Sequence, residues 1–391
     1  MKYSIKKKLV ESICFCLVTI LVSCTSERVI TLEKHRVFNV DININEPSKM
    51  LTLADYRVDS VKSLDLPDSL RQIEFTKFLV NDDRIYVMDS KSNRTVFVFN
   101  NLGQKIFKLG ERGRAKNEYQ DCPSDFFVDK YKNVHIFDHA GQKVLMFNKY
   151  GKINRVVETI DYFPHSFGLT KNNRYAFCIA DAIRDKENSP ALIMSDFNFA
   201  NLRELLRVSQ AYCFRPSEQT FFLNGERLSH IPILSDSVLV FKNDSLDKIV
   251  RFNFNCNFLR EEKPEFVTGV DKMRFIKNYH GIVGLKRYQE TDNYILLEFI
   301  YDSTEKIWFY NKKNKKHYYC DGLFEGVYPY LQFYLYNNQI VALVDNENVD
   351  NLKKMSSSPE FMDNLKKSPS QIKDLILGKI KTPAIFYISL K

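Results

Sequence analysis

The chain has 391 residues, of which 44% are hydrophobic, 14% aromatic and 27% charged, a composition that excludes an intrinsically disordered chain. Its 21 tyrosines and 31 phenylalanines outnumber its 13 glycines and 12 prolines, and aromatic residues favour pleated, half-buried strands. The formal net charge of +9 falls to +6 without the first 23 residues, and no basic run is interleaved with aromatics, so we predict no nucleic-acid partner.

The N-terminus has the layout of a secretory signal peptide. Four lysines lie in residues 1–8, and a largely apolar stretch fills residues 9–22. The stretch is shorter than the ~20 residues that a membrane-spanning helix needs and is interrupted by Glu11, which disfavours a transmembrane anchor. The tetrapeptide Leu-Val-Ser-Cys that ends at Cys24 is similar to the lipobox of bacterial lipoproteins. This resemblance implies a signal peptide over residues 1–23 and an acyl anchor on Cys24.

The remaining cysteines do not form a recognisable framework. They are odd in number and irregularly spaced, and no C-x-x-C pair suggests zinc, so we predict neither disulfides nor a metal or cofactor. His135 and His139 have the i, i+4 spacing of a metal pair, but they fall across a strand end and its turn. The cysteines left after cleavage and lipidation are Cys122, Cys178, Cys213, Cys256 and Cys320.

A repeated phrase follows residues 24–56, for which we predict a lipid-anchored tether and N-terminal segment. In this phrase a polar turn with Asn or Asp leads into an alternating apolar strand, and it occurs six times. Successive strands begin 49, 41, 63, 56 and 46 residues apart, close to the length of a four-stranded blade. The repeats predict an all-β fold, a six-bladed β-propeller over residues 57–391. The six strands begin at Ile85, Val134, Tyr175, Val238, Tyr294 and Ile340.

The end of the chain carries two further predictions. Residues 57–66 are a candidate strand that closes the ring beside residues 383–390. Residues 346–381 break the strand rhythm, and Ser368-Pro369 followed by apolar residues at helical spacing is a helix start signal. We therefore predict a short helical insertion in the last blade that packs against the propeller, with a ligand gate as the alternative.

The junction between the first two units supports a family resemblance. Residues 96–105 and 144–152 share a strand–turn–strand pattern, and residues 110–119 join the units. The junction resembles the G-x-x-G-x-G-P-G-E-Y run of six-bladed, NHL-repeat-like propeller lipoproteins of Gram-negative bacteria, although residues 115–117 replace its second half. The resemblance covers roughly residues 58–391 and implies the propeller fold, while that family is mostly uncharacterised in function.

Two residues at the expected channel mouth are candidates for chemistry. His165 opens the third unit where an inner strand should begin, and Asp125 holds the corresponding place in the second unit. A His and an Asp on adjacent blades could share a proton or coordinate a cation. The family resemblance implies the same, because some NHL-type lyases and lactonases use similarly placed residues. The alternative, which we favour, is a channel lined with polar groups and water.

The junction loop is the second candidate site. Arg112 and Arg114 could bind a carboxylate or phosphate, and Tyr119 could stack on a sugar or peptide. In the structural alternative, which we favour, Glu118 pairs with an arginine and Tyr119 fills the gap between blades one and two.

No sequence motif of a hydrolase or nucleotide-binding enzyme is present, since G-x-S-x-G, P-loop, HExxH and GxGxxG patterns are absent. We therefore predict a non-catalytic binding or scaffold module of the cell envelope for a peptide, glycan or partner protein. It would be anchored to the outer membrane through Cys24, with the periplasmic side favoured. The alternative function is a propeller lyase or hydrolase that uses His165 and Asp125 at the channel mouth.

Overall fold

The fold is a ring of six antiparallel sheets, which confirms the predicted six-bladed β-propeller. The signal segment 1–23, Cys24 and Cys213 lie outside the residues described, so the predictions made for them stay predictions. The structure is a computed structural model, and it describes residues 35–67, 75–81, 83–159, 164–179, 189–208, 219–232, 235–259, 269–325, 332–355 and 358–391.

Blades one to three are four-stranded sheets whose strands follow one another along the chain. In each blade the first strand lines the central channel and the fourth is outermost. The strands of blade one are β3 (Lys77–Val80), β4 (Arg84–Asp89), β5 (Thr95–Asn100) and β6 (Lys105–Leu109). Those of blade two are β7 (Asp125–Val128), β8 (Val134–Asp138), β9 (Lys143–Phe147) and β10 (Ile153–Glu158). Those of blade three are β11 (Ser166–Leu169), β12 (Tyr175–Cys178), β13 (Ser189–Ser195) and β14 (Arg203–Val208).

Blades four to six each follow the same plan, with strands from the N-terminal part of the chain added to two of them. Blade four contains β15 (Phe221–Asn224), β16 (Arg227–His230), β17 (Ser237–Lys242) and β18 (Ser245–Phe254), with β1 (Val37–Ile42) as a fifth strand. Blade five contains β19 (Ile282–Glu290), β20 (Tyr294–Tyr301), β21 (Thr304–Asn311) and β22 (Lys316–Cys320). Blade six contains β23 (Gln332–Tyr336), β24 (Gln339–Val344), β25 (Ala384–Leu390) and β2 (Tyr56–Ser63).

The ring closes through a strand pair between the two ends of the chain. β2 runs antiparallel to β25, with Tyr56 opposite Leu390 and Ser63 opposite Ala384. This is the closure that residues 57–66 and 383–390 predicted. Because the outermost strand of blade six comes from before blade one, the first and last blades cannot separate without breaking this ladder.

The N-terminal strand β1 changes the expectation for the tether. β1 lies within residues 24–56 and pairs parallel to the outer edge of β18, from Val37 opposite Ile249 to Ile42 opposite Phe254. Ile42 is buried against Phe252 of blade four, which explains why an apparently mixed segment becomes ordered strand. This part of the predicted tether is therefore a component of the propeller, and it covers an edge that would otherwise be open.

The hydrophobic core lies in the slots between the blades. β5 shows why, because its side chains alternate between two neighbours: Val96 and Val98 pack towards blade two, while Phe97 and Phe99 pack towards blade six. Both faces of β5, a middle strand of its blade, are thus buried, so its sequence is a continuous apolar run rather than an alternating one. Burial of each large side chain contributes about 1.5 to 3 kcal/mol.

The repeated phrase marks the second strand in five blades, but in blade four it marks the third. Val238, where the phrase begins, lies in β17. The second strand, β16, has the short sequence Arg-Leu-Ser-His and carries little of the apolar signal, so the pattern first appears one strand later. This displacement explains the long spacing of 63 residues between the third and fourth predicted strands.

Helices occupy two of the connections. The predicted helical insertion in blade six is confirmed and consists of α2 (Asn346–Met355), α3 (Pro359–Lys366) and α4 (Ser370–Ile376), which pack apolar side chains such as Leu352 and Ile372 into the core beside Phe386. A further helix, α1 (Gly269–Asn278), lies between blades four and five and was not predicted. Every helix in the described ranges is too short or too polar to span a bilayer.

Candidate functional site

The inner strands of all six blades surround a central channel. Its volume is about 1520 Å³, and its wall combines aromatic rings, such as Phe78 and Phe333, with charged groups, such as Lys77 and Arg287. Propeller channels of this kind are natural ligand sites, since a rigid wall brings many strands to one point. The position of the polar groups along this wall therefore decides what the channel can bind.

A belt of side chains links neighbouring blades around the channel. The hydroxyls of Ser166 in blade three and Thr220 in blade four lie 2.6 Å apart. The Gln289 side chain in blade five accepts a hydrogen bond of 2.9 Å from the Leu335 amide in blade six, and Tyr334 in blade six bonds the backbone of blade one. These contacts satisfy buried polar groups and fix the channel wall in one geometry.

A buried ion pair connects blades one and two. The ammonium of Lys77, at the start of β3, lies 2.5 Å from Oδ1 of Asp125, at the start of β7. Lys77 also lies over the Phe127 ring, 4.0 Å from its centroid, which favours the charged ammonium. The two side chains differ in access: 10% of the Lys77 side chain is exposed, and it lines the channel, against 2% for Asp125. Lys77 is therefore the member of the pair that a ligand in the channel can reach.

Burial sets the protonation behaviour of this pair. Burial lowers the pKa of the Lys77 ammonium, and the Asp125 carboxylate beside it opposes that shift. Burial likewise raises the pKa of Asp125, opposed by Lys77 and by the Phe126 amide, which donates 2.8 Å to Oδ1. Among the described residues, Oδ2 of Asp125 is buried without a hydrogen-bond partner. The charge on each residue thus depends on the presence of the other.

Sequence reasoning selected Asp125 and missed Lys77. An alignment of the first strands of the two blades would have found Lys77. Thr76-Lys77-Phe78 leads into the first strand of blade one, and Ser124-Asp125-Phe126 leads into the first strand of blade two. The amides of Thr76 and Ser124 both donate to the carbonyl of the penultimate residue of the neighbouring second strand, Met88 in β4 and Phe137 in β8. Comparing the units in this register would have placed a cation and an anion at related positions of adjacent blades.

In blade three the position equivalent to Asp125 is held by Ser166, and His165 is the residue before it. Asp125 pairs with Phe137 at the first position of β7, and Ser166 pairs with Cys178 at the first position of β11. His165 precedes that position by one residue, and its ring stacks on His139 with centroids 5.0 Å apart. Within the described residues, then, Asp125 is engaged by Lys77 and His165 by His139, so the two candidates have separate partners. Their joint catalytic role stays a prediction.

A second buried polar network lies between blades two and three. Nδ1 of His135 lies 2.8 Å from the Tyr175 hydroxyl, and Nε2 lies 3.3 Å from Oδ2 of Asp129. His135 is fully buried, and this burial lowers its pKa. Each imidazole nitrogen of His135 contacts a protein group, so we assign His135 a structural role. No group of three or more metal-ligating residues occurs within the described ranges.

The junction loop folds back on itself. The Tyr119 hydroxyl donates a 2.6 Å hydrogen bond to the Leu109 carbonyl, and the ring lies against Gly110, where a Cβ atom would approach within 2.5 Å. A carboxylate oxygen of Glu118 accepts from the Ala115 amide at 2.8 Å. Tyr119 is thus buried, as the structural alternative expected. Glu118 caps the loop backbone, and among the described residues no arginine forms an ion pair with it.

The two arginines of the loop face solvent. Arg112 is exposed, with its Nε 3.9 Å from Asp121, and Arg114 is exposed as well. Both lie outside the channel lining, and their predicted binding role stays a prediction.

Comparison with known proteins agrees with the extent of the fold. A family model described as "Domain of unknown function (DUF4934)" matches residues 37–377, a range that begins at the first residue of β1. The chain belongs to the DUF4934 family. No curated protein matches it. The match supports the inclusion of β1 in the DUF4934 domain.

Solved structures resemble this DUF4934 propeller at low sequence identity. A "Putative exported protein" from Bacteroides fragilis is 14% identical with a TM-score of 0.72, covering 91% of this chain and 99% of that one. A member of the DUF4221 family from Bacteroides vulgatus is 11% identical with a TM-score of 0.48, covering 86% and 97%. The virginiamycin B lyase from Staphylococcus aureus is 14% identical with a TM-score of 0.40, covering 73% and 86%. The first of these likenesses supports the fold alone.

Proposed function

We propose that this DUF4934 propeller is an exported, lipid-anchored, non-catalytic binding module of the cell envelope that takes its ligand into the central channel. The observation that carries the proposal is the Lys77 ammonium, held in the channel wall by Asp125 and reachable from the channel. A fixed cation among aromatic rings is suited to hydrogen-bond acceptors on a ligand whose remaining surface stacks on the wall.

The size of the channel favours an extended ligand. A volume of about 1520 Å³ exceeds the roughly 300 to 1,000 Å³ typical of small-molecule pockets. A peptide, a glycan or a segment of a partner protein fits such a space. The belt of inter-blade hydrogen bonds supports binding with little rearrangement, because its groups are already in place.

The location is part of the proposal. The lipobox-like tetrapeptide ending at Cys24 supports lipidation, and the likeness to an exported protein supports export. The resemblance to NHL-repeat-like lipoproteins points the same way, and we place the anchor in the outer membrane, facing the periplasm. In cells fed labelled palmitate, the protein should carry label and Cys24→Ala should not. Labelling of both proteins, or of neither, would remove the anchor from the proposal. Resistance of the protein to protease added to whole cells tests the periplasmic orientation.

Photo-crosslinking tests the channel. Lys91 lines the channel, so Lys91→p-benzoylphenylalanine should form an adduct on irradiation in envelope extracts. The same substitution at Lys108, an exposed residue of outer strand β6, is the control and should form none. Mass spectrometry of the adduct distinguishes a peptide, a glycan and a protein.

A second variant connects the adduct to the ion pair. In this variant, Lys77→Met and Asp125→Asn are added to the protein that carries p-benzoylphenylalanine at position 91. The yield of the adduct should fall about tenfold, which is the loss expected when one charge-assisted hydrogen bond disappears. Equal adduct from Lys91 and Lys108, or no adduct above the unirradiated sample, would refute a channel ligand.

A further inference from the structure

Two hairpin turns of blade two present the same pair of residues. The β7–β8 turn carries Lys130-Tyr131, and the β9–β10 turn carries Lys149-Tyr150. In both turns a side-chain oxygen accepts two backbone amides. Oδ1 of Asp129 accepts from residues 131 and 133 at 2.8 Å, and Oδ1 of Asn148 accepts from residues 150 and 152 at 3.0 and 3.1 Å. The shared turn geometry places each tyrosine at the same point of its turn.

The turn itself does not require tyrosine. The β5–β6 turn of blade one has the same bonds from Asn100 and carries Leu102 at the matching position, and a turn in blade three built on Asp196 carries Asn198 there. Tyr131 and Tyr150 are 60% and 67% exposed, so core packing does not explain them either. Two exposed aromatic rings on adjacent turns are a common feature of ligand-binding surfaces.

A pocket of about 640 Å³ lies between the two turns and blade one. Its volume falls within the range of roughly 300 to 1,000 Å³ that is typical of ligand pockets. Among the described residues that line it, none carries a carboxylate. We refer to it as the tyrosine pocket, and its wall consists of Arg84, Lys130, Tyr131, Lys132, Asn133, Asn148, Lys149 and Tyr150.

The tyrosine pocket has a surplus of positive charge. Lys132 is neutralised by Asp83 at 2.6 Å, whereas the ammonium groups of Lys130 and Lys149 lie 5.1 Å from the centroids of the neighbouring tyrosine rings. Arg84 donates to the Lys149 carbonyl at 2.6 Å, which ties blade one to the second turn. Three cations are thus held around two exposed rings without a carboxylate paired to them in the pocket wall.

We propose that the tyrosine pocket binds an acidic oligosaccharide. Sugar rings stack on tyrosine faces, and carboxylate, sulfate or phosphate groups on the sugar complement the lysines and Arg84. The rings and the cations lie within one pocket of about 640 Å³, a size that suits a short chain of sugar units. The site lies on the hairpin tips of blades one and two, beside the channel mouth, with which it shares Lys130 and Lys132. The proposal adds to the channel proposal and does not require a ligand in the channel.

Calorimetric titration of the purified protein tests the site. The probes are a tetramer of galacturonic acid, a sulfated heparin tetrasaccharide, a phosphorylated maltotetraose, and neutral maltotetraose as the uncharged control. At least one acidic probe should bind about tenfold or more tightly than the neutral one, and the affinity should fall as salt rises.

Paired variants assign the binding to the pocket. Tyr131→Ala with Tyr150→Ala, and separately Lys130→Ala with Lys149→Ala, should each weaken the acidic probe about tenfold or more. The matched control is Lys313→Ala with Lys315→Ala, two exposed lysines on a hairpin turn of blade five, which should leave affinity unchanged.

Three outcomes would overturn the proposal. They are binding of no acidic probe at 10 mM, equal binding of neutral maltotetraose, and equal loss in the blade-five control. Because the substituted tyrosines and lysines of the two blade-two turns and of the blade-five control are exposed, unfolding of these variants is not expected, and circular dichroism of each verifies this.

Discussion

Substitution of either member of the ion pair between Lys77 and Asp125 should destabilise the protein. The two substitutions should differ in cost. Lys77→Met leaves a carboxylate that is 2% exposed without its cation, and removal of one partner of a buried pair costs about 3 to 5 kcal/mol. Asp125→Asn should cost less, about 1 to 2 kcal/mol, because the Lys77 ammonium reaches the channel and the amide oxygen still accepts a hydrogen bond. The double substitution should cost less than the sum of the two.

The pH dependence of Lys77→Met has a defined sign. Without its cation, the buried Asp125 carboxyl keeps a folded-state pKa above the value of about 3.8 expected in the unfolded chain. The folded variant then binds more protons than the unfolded chain above that value, so its stability falls as the pH rises. The destabilisation by Lys77→Met should therefore be larger at pH 8 than at pH 5.

Urea unfolding followed by circular dichroism measures these differences. The four proteins of the cycle are the wild type, the two single variants and the double variant, each at pH 5 and pH 8. A cost for Lys77→Met below about 1 kcal/mol, or costs that simply add in the double variant, would show that the pair is not a coupled buried contact. A larger cost at pH 5 than at pH 8 would refute the reasoning about the orphaned carboxylate.

Three further predictions follow from other buried contacts. Tyr119→Phe removes the 2.6 Å bond to the Leu109 carbonyl and should lower the free energy of unfolding by about 1 to 2 kcal/mol, measured by urea titration. Burial lowers the pKa of His230 from 6.5 to about 3, so the free energy of unfolding should fall as the pH drops below 6.5, by roughly 2 kcal/mol at pH 5. His230→Phe should remove this pH-dependent component, and a flat pH profile in the parent protein would contradict the prediction. Deleting residues 35–42 exposes the edge of β18, and faster exchange of the β18 amides, with β25 unchanged, is expected in hydrogen-exchange mass spectrometry.

The sequence by itself determined the fold class and most of the strand plan. Six strands preceded by polar turns, spaced near the length of a blade, predicted the ring, because a sheet with two apolar faces needs a neighbour on each side. The closing strand and the helical insertion were also predictable from the sequence, because apolar alternation and a Ser-Pro helix start are local signals. Blade four was displaced by one strand because β16 is short and polar.

Only the tertiary structure decided which polar residues meet. Lys77 and Asp125 are 48 residues apart, and the turns carrying Tyr131 and Tyr150 become one pocket only after two hairpins and a neighbouring blade come together. β1 is ordered for the same reason, because its partner β18 lies more than 200 residues away. Local patterns report which face of a strand is buried, whereas the partner of each side chain depends on strand register and blade order, which arise only when the ring closes.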